Sequence, residues 1–447
     1  MTFGQQIPDT RFATVGDDRI AYQVFGEGDV DLIFVPSLGD CMDMRWQWPS
    51  YVYFLRHLGA HARVIMFDLR GSGASDASSA ESLPNWERWA DETRAVLDEA
   101  DSEQAVLFGF SHAGPTAILF AASHPSRTRG LILANTTARY GAGPGYQGGI
   151  SDETARFVRN VWGTEAMVEL ANPDAAADPA FRRWNASSQR LSLSPRDASR
   201  IHAFESSLDV RETLPLLQMP TLVLHREGYK LIPIEHAEYL AEHIPGARLA
   251  LVPGNDAALY VEPMSETLRQ MEDFLGGSHS LPNPDRALAA ILFTDIVSST
   301  ELASAMGDRR WRSLLERHDS LATAVVDQYG GSLVHASGGM GDGILATFDG
   351  PGRAIHCARA LADSLRSLGV SIRCGIHTGE VEVRDSGLAG IGAHIAARVV
   401  SAAGPDEILV SGAVPMLMAG SGVEFEDRGE QELRGVPGTW RLFTVVK

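Results

Sequence analysis

The sequence predicts an α/β protein built as two units. Three observations carry that prediction. The chain has 447 residues, more than one hydrophobic core usually organises, so two domains of ordinary size are expected. From about residue 20 to 275, short apolar runs alternate with helical stretches, the pattern of a parallel sheet buried on both faces. The stretch GGSHSLPNPDR (276–286) then reads as a linker, and a second α/β pattern begins after it.

The expected first unit is 1–275. Its strands are DLIFVP (31–36), RVIMFD (63–68), QAVLFGF (104–110), GLILAN (130–135), TLVLHR (221–226) and RLALVP (248–253). The interval 136–215 breaks the rhythm. It opens with the Gly/Pro-rich YGAGPGYQGG and continues as helical stretches with no strand between them, which predicts a cap inserted over the sheet's active edge.

The expected second unit is 287–447. ALAAILFTDIV reads as a strand. DRRWRSLLERHDSLATAVVDQYGG reads as a long amphipathic helix, with Trp311, Leu314, Leu315, His318, Leu321, Val325 and Tyr329 on one stripe and Gly330 as its stop. SLVHAS, a Gly-rich turn, GILATF, a helix (352–368), VSIRCGIHTGEVEV, a helix (391–403) and EILVSG follow. The order strand–helix–strand–strand–helix–strand is that of a ferredoxin-like core.

Composition narrows the function. The formal net charge is −19, which argues against a nucleic-acid backbone as the main partner. It leaves room for a nucleotide held by metal ions and a few local arginines. Cys41, Cys357 and Cys374 are scattered, with the spacing of neither a disulfide framework nor a zinc site, so a reducing cytoplasm is expected. The N-terminal MTFGQQIPDT has no signal-peptide pattern, and LAAILF (288–293) is far too short to span a bilayer.

GFSHAG (109–114) follows an apolar strand and precedes a helical run, the context of a nucleophile elbow around Ser111. The backbone N–H of His112 is placed to supply half of an oxyanion hole. With DLRGSGASD (68–76) and VPSLGD (35–40), these residues resemble the α/β-hydrolase family over roughly 15–275. The resemblance also exposes two losses. HREGYKLIP (225–233) has Tyr229 where the family carries its catalytic aspartate. PGNDAALY (253–260) has Ala257 where it carries the histidine. A serine without a base is a poor nucleophile. Glu227 and Asp256 lie close in sequence to the lost positions. His112 is expected to point away from Ser111, and His202, His236 and His243 read as surface or packing residues. The first unit is therefore expected to be a degenerate hydrolase that binds a small apolar ligand under its cap.

LFTDIVSSTELA (292–303) puts Asp295 at a strand end, and GMGDGILATFDG (339–350) puts Asp342 in a Gly-flanked turn. Two such carboxylates suit a pair of divalent ions. With GIHTGEV (375–381), HIAARVV (394–400) and ELRGVPGTWRLF (432–443), the second unit resembles the class III adenylate/guanylate cyclases. The whole chain is similar to bacterial, mycobacterial-type fusions of the two families. The resemblance implies Mg²⁺ or Mn²⁺, two per site, on Asp295, Asp342 and the backbone carbonyl of Ile296. It implies Arg398 at the α-phosphate, Arg434 on the triphosphate, and His394 in the place of the usual asparagine. His335 and Gly387 occupy the purine-selecting positions, with Asp385 two residues from the second and an insertion, SGGM, before Asp342. ATP converted to cyclic AMP is expected, GTP being the other candidate, in a homodimer with composite sites. The other readings are a pair of binding modules and an esterase using Ser111.

Overall fold

The computed structural model describes residues 7–37, 39, 41–77, 85–141, 146, 160–277, 286–334, 343–366, 368–384, 387–418 and 420–446. The chain divides into two compact units, Met1–Asn283 and Pro284–Lys447, each with its own sheet. Among the described residues no helix is long and apolar enough to cross a membrane.

The first sheet contains β1 (Arg11–Val15), β2 (Asp18–Phe25), β3 (Asp31–Val35), β4 (Arg63–Phe67), β5 (Ala105–Phe110), β6 (Thr128–Ala134), β7 (Thr221–Arg226) and β8 (Arg248–Val252). Their spatial order is β1-β2-β4-β3-β5-β6-β7-β8. All six apolar runs are strands, and β4-β3-β5-β6-β7-β8 pair in parallel. The reading from residue 20 onward missed the hairpin β1–β2. Only Ala13 of β1 is buried, so an edge strand of this kind leaves no apolar run to read. The helices Pro49–Gly59 and Ser265–Gly276 share one core cluster on the sheet, through Phe54, Leu55 and Leu58 against Leu268, Met271 and Phe274.

Between β6 and β7 the chain forms the helices Glu165–Ala171, Pro179–Ser192 and Pro195–Ser207. Two of them begin on a cap followed by proline. Asp178 accepts from the Ala180 N–H and Ser194 from the Asp197 N–H, and proline at the first helical position gives up no needed donor.

The second sheet contains β9 (Arg286–Ile296), β10 (Ser332–Leu333), β11 (Ile344–Phe348), β12 (Ile372–Arg384), β13 (Gly387–Ala389), β14 (Ile408–Ser411), β15 (Phe425–Glu432) and β16 (Thr439–Val445). The order is β10-β11-β9-β12-β14-β16-β15, with β13 paired to β12. The first four, antiparallel throughout, are the expected ferredoxin-like core. β14 adds in parallel after the helix Ile391–Ala402.

The helix Asp308–Gln328 ends as its sequence requires. Gly330 adopts φ +67°, its N–H reaches the Asp327 carbonyl, and the Gly331 N–H reaches the Val326 carbonyl, the paired bonds of a Schellman stop. Its fully buried line differs from the expected stripe. Leu314 and His318 are joined by Ala322 and Val326, while Trp311, Leu315, Leu321, Val325 and Tyr329 are only partly buried.

Candidate functional site

The strand β5 delivers Ser111 into a strained turn. Ser111 has φ +49°, a left-handed conformation that costs a non-glycine residue on the order of 1–2 kcal/mol. Small neighbours make the turn fit. A Cβ on Gly109 would lie 2.8 Å from Ala117 Cβ, and one on Gly114 would lie 2.0 Å from Thr136 Oγ1. Thr136 Oγ1 in turn donates to the Ser111 carbonyl.

His112 does not point away as expected. Its Nδ1 lies 3.3 Å from Ser111 Oγ, because the ring folds back to stack on Tyr140 at 4.5 Å between centroids. Two features weigh against a catalytic pair here. Burial, then the neighbouring His202, holds the His112 pKa well below its usual value. Its other nitrogen, Nε2, is buried without a hydrogen-bond partner, so among the described residues no carboxylate is placed to stabilise an imidazolium. Close by, burial raises Glu205 to about 8, and its Oε2 has no partner.

The two positions where the resemblance expects a catalytic aspartate and histidine come together in space. Tyr229, after β7, and Ala257, after β8, belong to one apolar cluster with Tyr140 and Ile232, against which Phe110 packs. Burial raises the Tyr229 pKa. The Ala257 loop is pinned by Asn135, which donates to the Ala257 carbonyl, and by the Ala257 N–H, which reaches the Ala171 carbonyl. The two carboxylates close by in sequence are placed otherwise. Asp256 accepts from the Asp174 and Ala175 N–H groups, and Glu227 is exposed. Of the three other histidines, His202 and His236 are buried and hydrogen-bonded to Ser206 and Thr137, while His243 is exposed and bonded to the Tyr239 carbonyl. A cleft of about 570 Å³ opens over Tyr229, lined also by Leu170, Asp174, Lys230, Leu231 and Asn255. That size suits a small molecule.

In the second unit the strand alternation sorts β9 between two faces. Ala290, Leu292 and Ile296 pack against the helices Asp308–Gln328 and Pro351–Arg366. Ala289, Ile291 and Phe293 point to the opposite face, where Ala396 of the helix Ile391–Ala402 sits. Asp295 continues that second set. Gly375 brings the helix close: a Cβ there would lie 2.2 Å from the Val400 nitrogen.

Asp295 is directly opposite Arg373 on β12. Arg373 donates from Nε to Asp295 Oδ2 at 2.8 Å and from a terminal nitrogen to the same oxygen. Among the described residues nothing bonds Asp295 Oδ1. Sequence reasoning missed Arg373, whose only signal was its place in the strand leading to GIHTG. The carbonyl of Ile296 belongs to the ladder position facing Ile372. Asp342, His335 and Asp385 lie outside the described residues. Gly343, next to Asp342, runs against the β9 end, where its Cβ would meet the Thr294 carbonyl at 2.7 Å. Gly387 pairs with Arg384 in the β12–β13 hairpin.

His394 and Arg398 are one helical turn apart on the exposed face of Ile391–Ala402, whose other face buries Ile395, Ala396, Val399 and Val400. Arg434 is exposed on a loop whose Leu433 and Val436 pack against Ile395 and Val399. The loop and the helix therefore carry three cationic or hydrogen-bonding side chains on neighbouring surfaces.

Comparison with known proteins agrees with both folds. Residues 32–263 match the alpha/beta hydrolase fold family, and residues 283–447 match the family of the adenylate and guanylate cyclase catalytic domain. The chain is similar to mouse (Mus musculus) "Serine hydrolase BPHL", 25% identical over 281 residues, covering 61% of this chain and 88% of that protein. It is similar to "Putative adenylate cyclase 3" of Rhizobium meliloti, 26% identical over 168 residues, covering 36% of this chain and 28% of that protein. An esterase from Exiguobacterium antarcticum shares the first fold, with TM-score 0.53 and 19% identity over 60% of this chain and 99% of that one. The chain belongs to the alpha/beta hydrolase fold family and carries, fused behind that fold, an adenylate and guanylate cyclase catalytic domain.

Proposed function

We propose that the protein is a cytoplasmic purine-nucleotide cyclase that converts ATP to cyclic AMP and pyrophosphate as a homodimer, with GTP as the competing substrate. One observation carries the reading. Asp295 lies on a sheet face only partly covered, with Phe293 half-buried, while His394 and Arg398 stand exposed on the helix packed against that face. Groups turned away from their own sheet are presented to a second copy, which supports composite sites.

The donor set fits Mg²⁺ or Mn²⁺, since a carboxylate oxygen and a backbone carbonyl are hard oxygen ligands. Asp295, Asp342 and Ile296 would hold two ions. When bound, the ions acidify the ribose 3′-hydroxyl and neutralise the departing pyrophosphate. The 3′-oxygen then forms a bond to the α-phosphorus as the bond to the β-phosphate bridging oxygen breaks, and the hydroxyl proton passes to solvent. Arg398 offsets charge growing at the α-phosphate, His394 donates a hydrogen bond beside it, and Arg434 holds the triphosphate. Neither His335 nor Gly387 presents the usual pair of groups for adenine, which supports relaxed base choice.

The first unit is read as a ligand-binding module without esterase activity. The apolar Tyr229–Ala257–Tyr140 cluster supports this, because it stands where the base and its carboxylate belong. Leu170, Leu231 and Tyr229 give the cleft its apolar wall, and Asp174 and Lys230 favour a ligand with a polar end. A second reading, nucleotide binding without turnover, is favoured by Arg373 already offsetting the Asp295 charge. Incubation with ATP or GTP and Mn²⁺ separates the two. Cyclic product absent in Asp295→Ala supports the cyclase; bound nucleotide without product supports the second reading.

A further inference from the structure

Two histidines and a glutamate meet on the first unit, away from the cleft residues over Tyr229. His57 belongs to the helix Pro49–Gly59, and His61 follows one turn later, where the chain leaves the helix. Glu272 belongs to the helix Ser265–Gly276. The His57 Nε2 lies 3.5 Å from one Glu272 oxygen and the His61 Nε2 lies 3.3 Å from the other. One ligand atom from each residue falls within 4.8 Å of the other two.

These separations are long for a good hydrogen bond, whose N···O distance is about 2.7–3.2 Å, and His57 Nε2 is buried without a hydrogen-bond partner. Each lies near the spacing a metal ion imposes on its ligands, one to each Glu272 oxygen, and a single ligand atom from each residue stays within 4.8 Å of the other two. Ligands about 2.0–2.1 Å from one tetrahedral ion stand roughly 3.3–3.4 Å apart. The backbones are fixed beforehand, because Phe54, Leu55 and Leu58 of one helix share a core with Leu268, Met271 and Phe274 of the other. The three side chains keep 30–41% of their surface exposed, so an ion can enter and a water can fill the fourth position. Two imidazoles with one carboxylate select a borderline-soft cation, and hard Mg²⁺ is a poor match.

We propose that His57, His61 and Glu272 form a binding site for one transition-metal dication, Zn²⁺ by its ligand chemistry, that clamps the helix Ser265–Gly276 to the helix Pro49–Gly59. The site is separate from the Asp295 site and takes a different class of metal. An ion there ties down the last helix of the first unit, eight residues before the second unit begins at Pro284.

The test is a Co²⁺ titration of the tag-free full-length protein in excess Mg²⁺, followed by visible absorption and by thermal melting. One equivalent is expected to give the intense band of tetrahedral Co²⁺, displaced by Zn²⁺, together with a raised melting temperature. In His57→Gln/His61→Gln the band should vanish, and affinity should fall at least about tenfold. Glu272→Gln, which keeps the side-chain volume, should weaken binding in the same direction and serves if the double variant does not fold. No tetrahedral band in the wild type, or a band unchanged in these variants, overturns the site.

Discussion

Asp295 and Arg373 face each other across the β9–β12 ladder, with Arg373 Nε 2.8 Å from Asp295 Oδ2. Both side chains are about one-third exposed, so the pair itself contributes at most about 1 kcal/mol to stability. Its larger consequence concerns cations. Arg373 holds the carboxylate by one oxygen; in the proposed cyclase reading the other oxygen would take a metal whose approach the arginine's charge opposes. Arg373→Gln should therefore tighten Mn²⁺ binding by about five- to tenfold, a change on the order of 1 kcal/mol for a charge removed near a protein surface. Calorimetric titration of Mn²⁺ checks it. Weaker Mn²⁺ binding in the variant would make Arg373 a positioning residue only.

Ser111→Ala should leave ester hydrolysis at the background rate of the wild type. His112 sits 3.3 Å from the hydroxyl, but its depressed pKa and unpartnered Nε2 deny it the role of a base. Turnover of a short-chain p-nitrophenyl ester measures this, and Ser111-dependent turnover would contradict it.

Tyr229→Asp should destabilise the first unit rather than restore chemistry. The carboxylate would enter the apolar cluster of Tyr140, Ile232 and Ala257, at a cost of about 2–4 kcal/mol. Denaturant unfolding would show a midpoint shift of that size.

Glu205 makes stability depend on pH. Its pKa rises from 4.5 unfolded to about 8 folded through burial. The native state therefore prefers the protonated acid. That contribution is complete below about pH 4.5 and is lost as pH rises through about 8, with a slope of at most about 1.4 kcal/mol per pH unit. Glu205→Gln, which mimics the neutral acid, should flatten the unfolding profile between these limits.

Gly375→Ala should damage the second unit through packing. The added methyl would stand 2.2 Å from the Val400 nitrogen, forcing the helix Ile391–Ala402 off the sheet. A loss of about 1–3 kcal/mol is expected, read as a lower melting temperature for that unit.

Much of this was legible in the sequence. Strands buried on both faces must be apolar, so β3 to β8 announce themselves, whereas the edge strand β1 buries only Ala13 and does not. GFSHAG marks its own turn because Gly109 and Gly114 have no room for a side chain. Tyr229 and Ala257 stood out in the sequence as departures from the resembled pattern, but their meeting with Tyr140 was not readable, since it depends on three separate loops packing together. Arg373 is 78 residues from Asp295, and only the strand register brings them together. The His112 ring direction depends on stacking against Tyr140, which no local pattern encodes.

The most direct measurement mixes two inactive proteins. In the proposed reading Asp295→Ala would lack a metal ligand and Arg398→Ala the arginine at the α-phosphate, so each should make no cyclic nucleotide alone. After subunit exchange, half the dimers would be mixed and each would hold one intact composite site of two, giving about a quarter of wild-type activity. Recovery near that level, from a wild type active with Mn²⁺, is the predicted result. A silent wild type, or a mixture as silent as its parts, would contradict a cyclase with shared active sites.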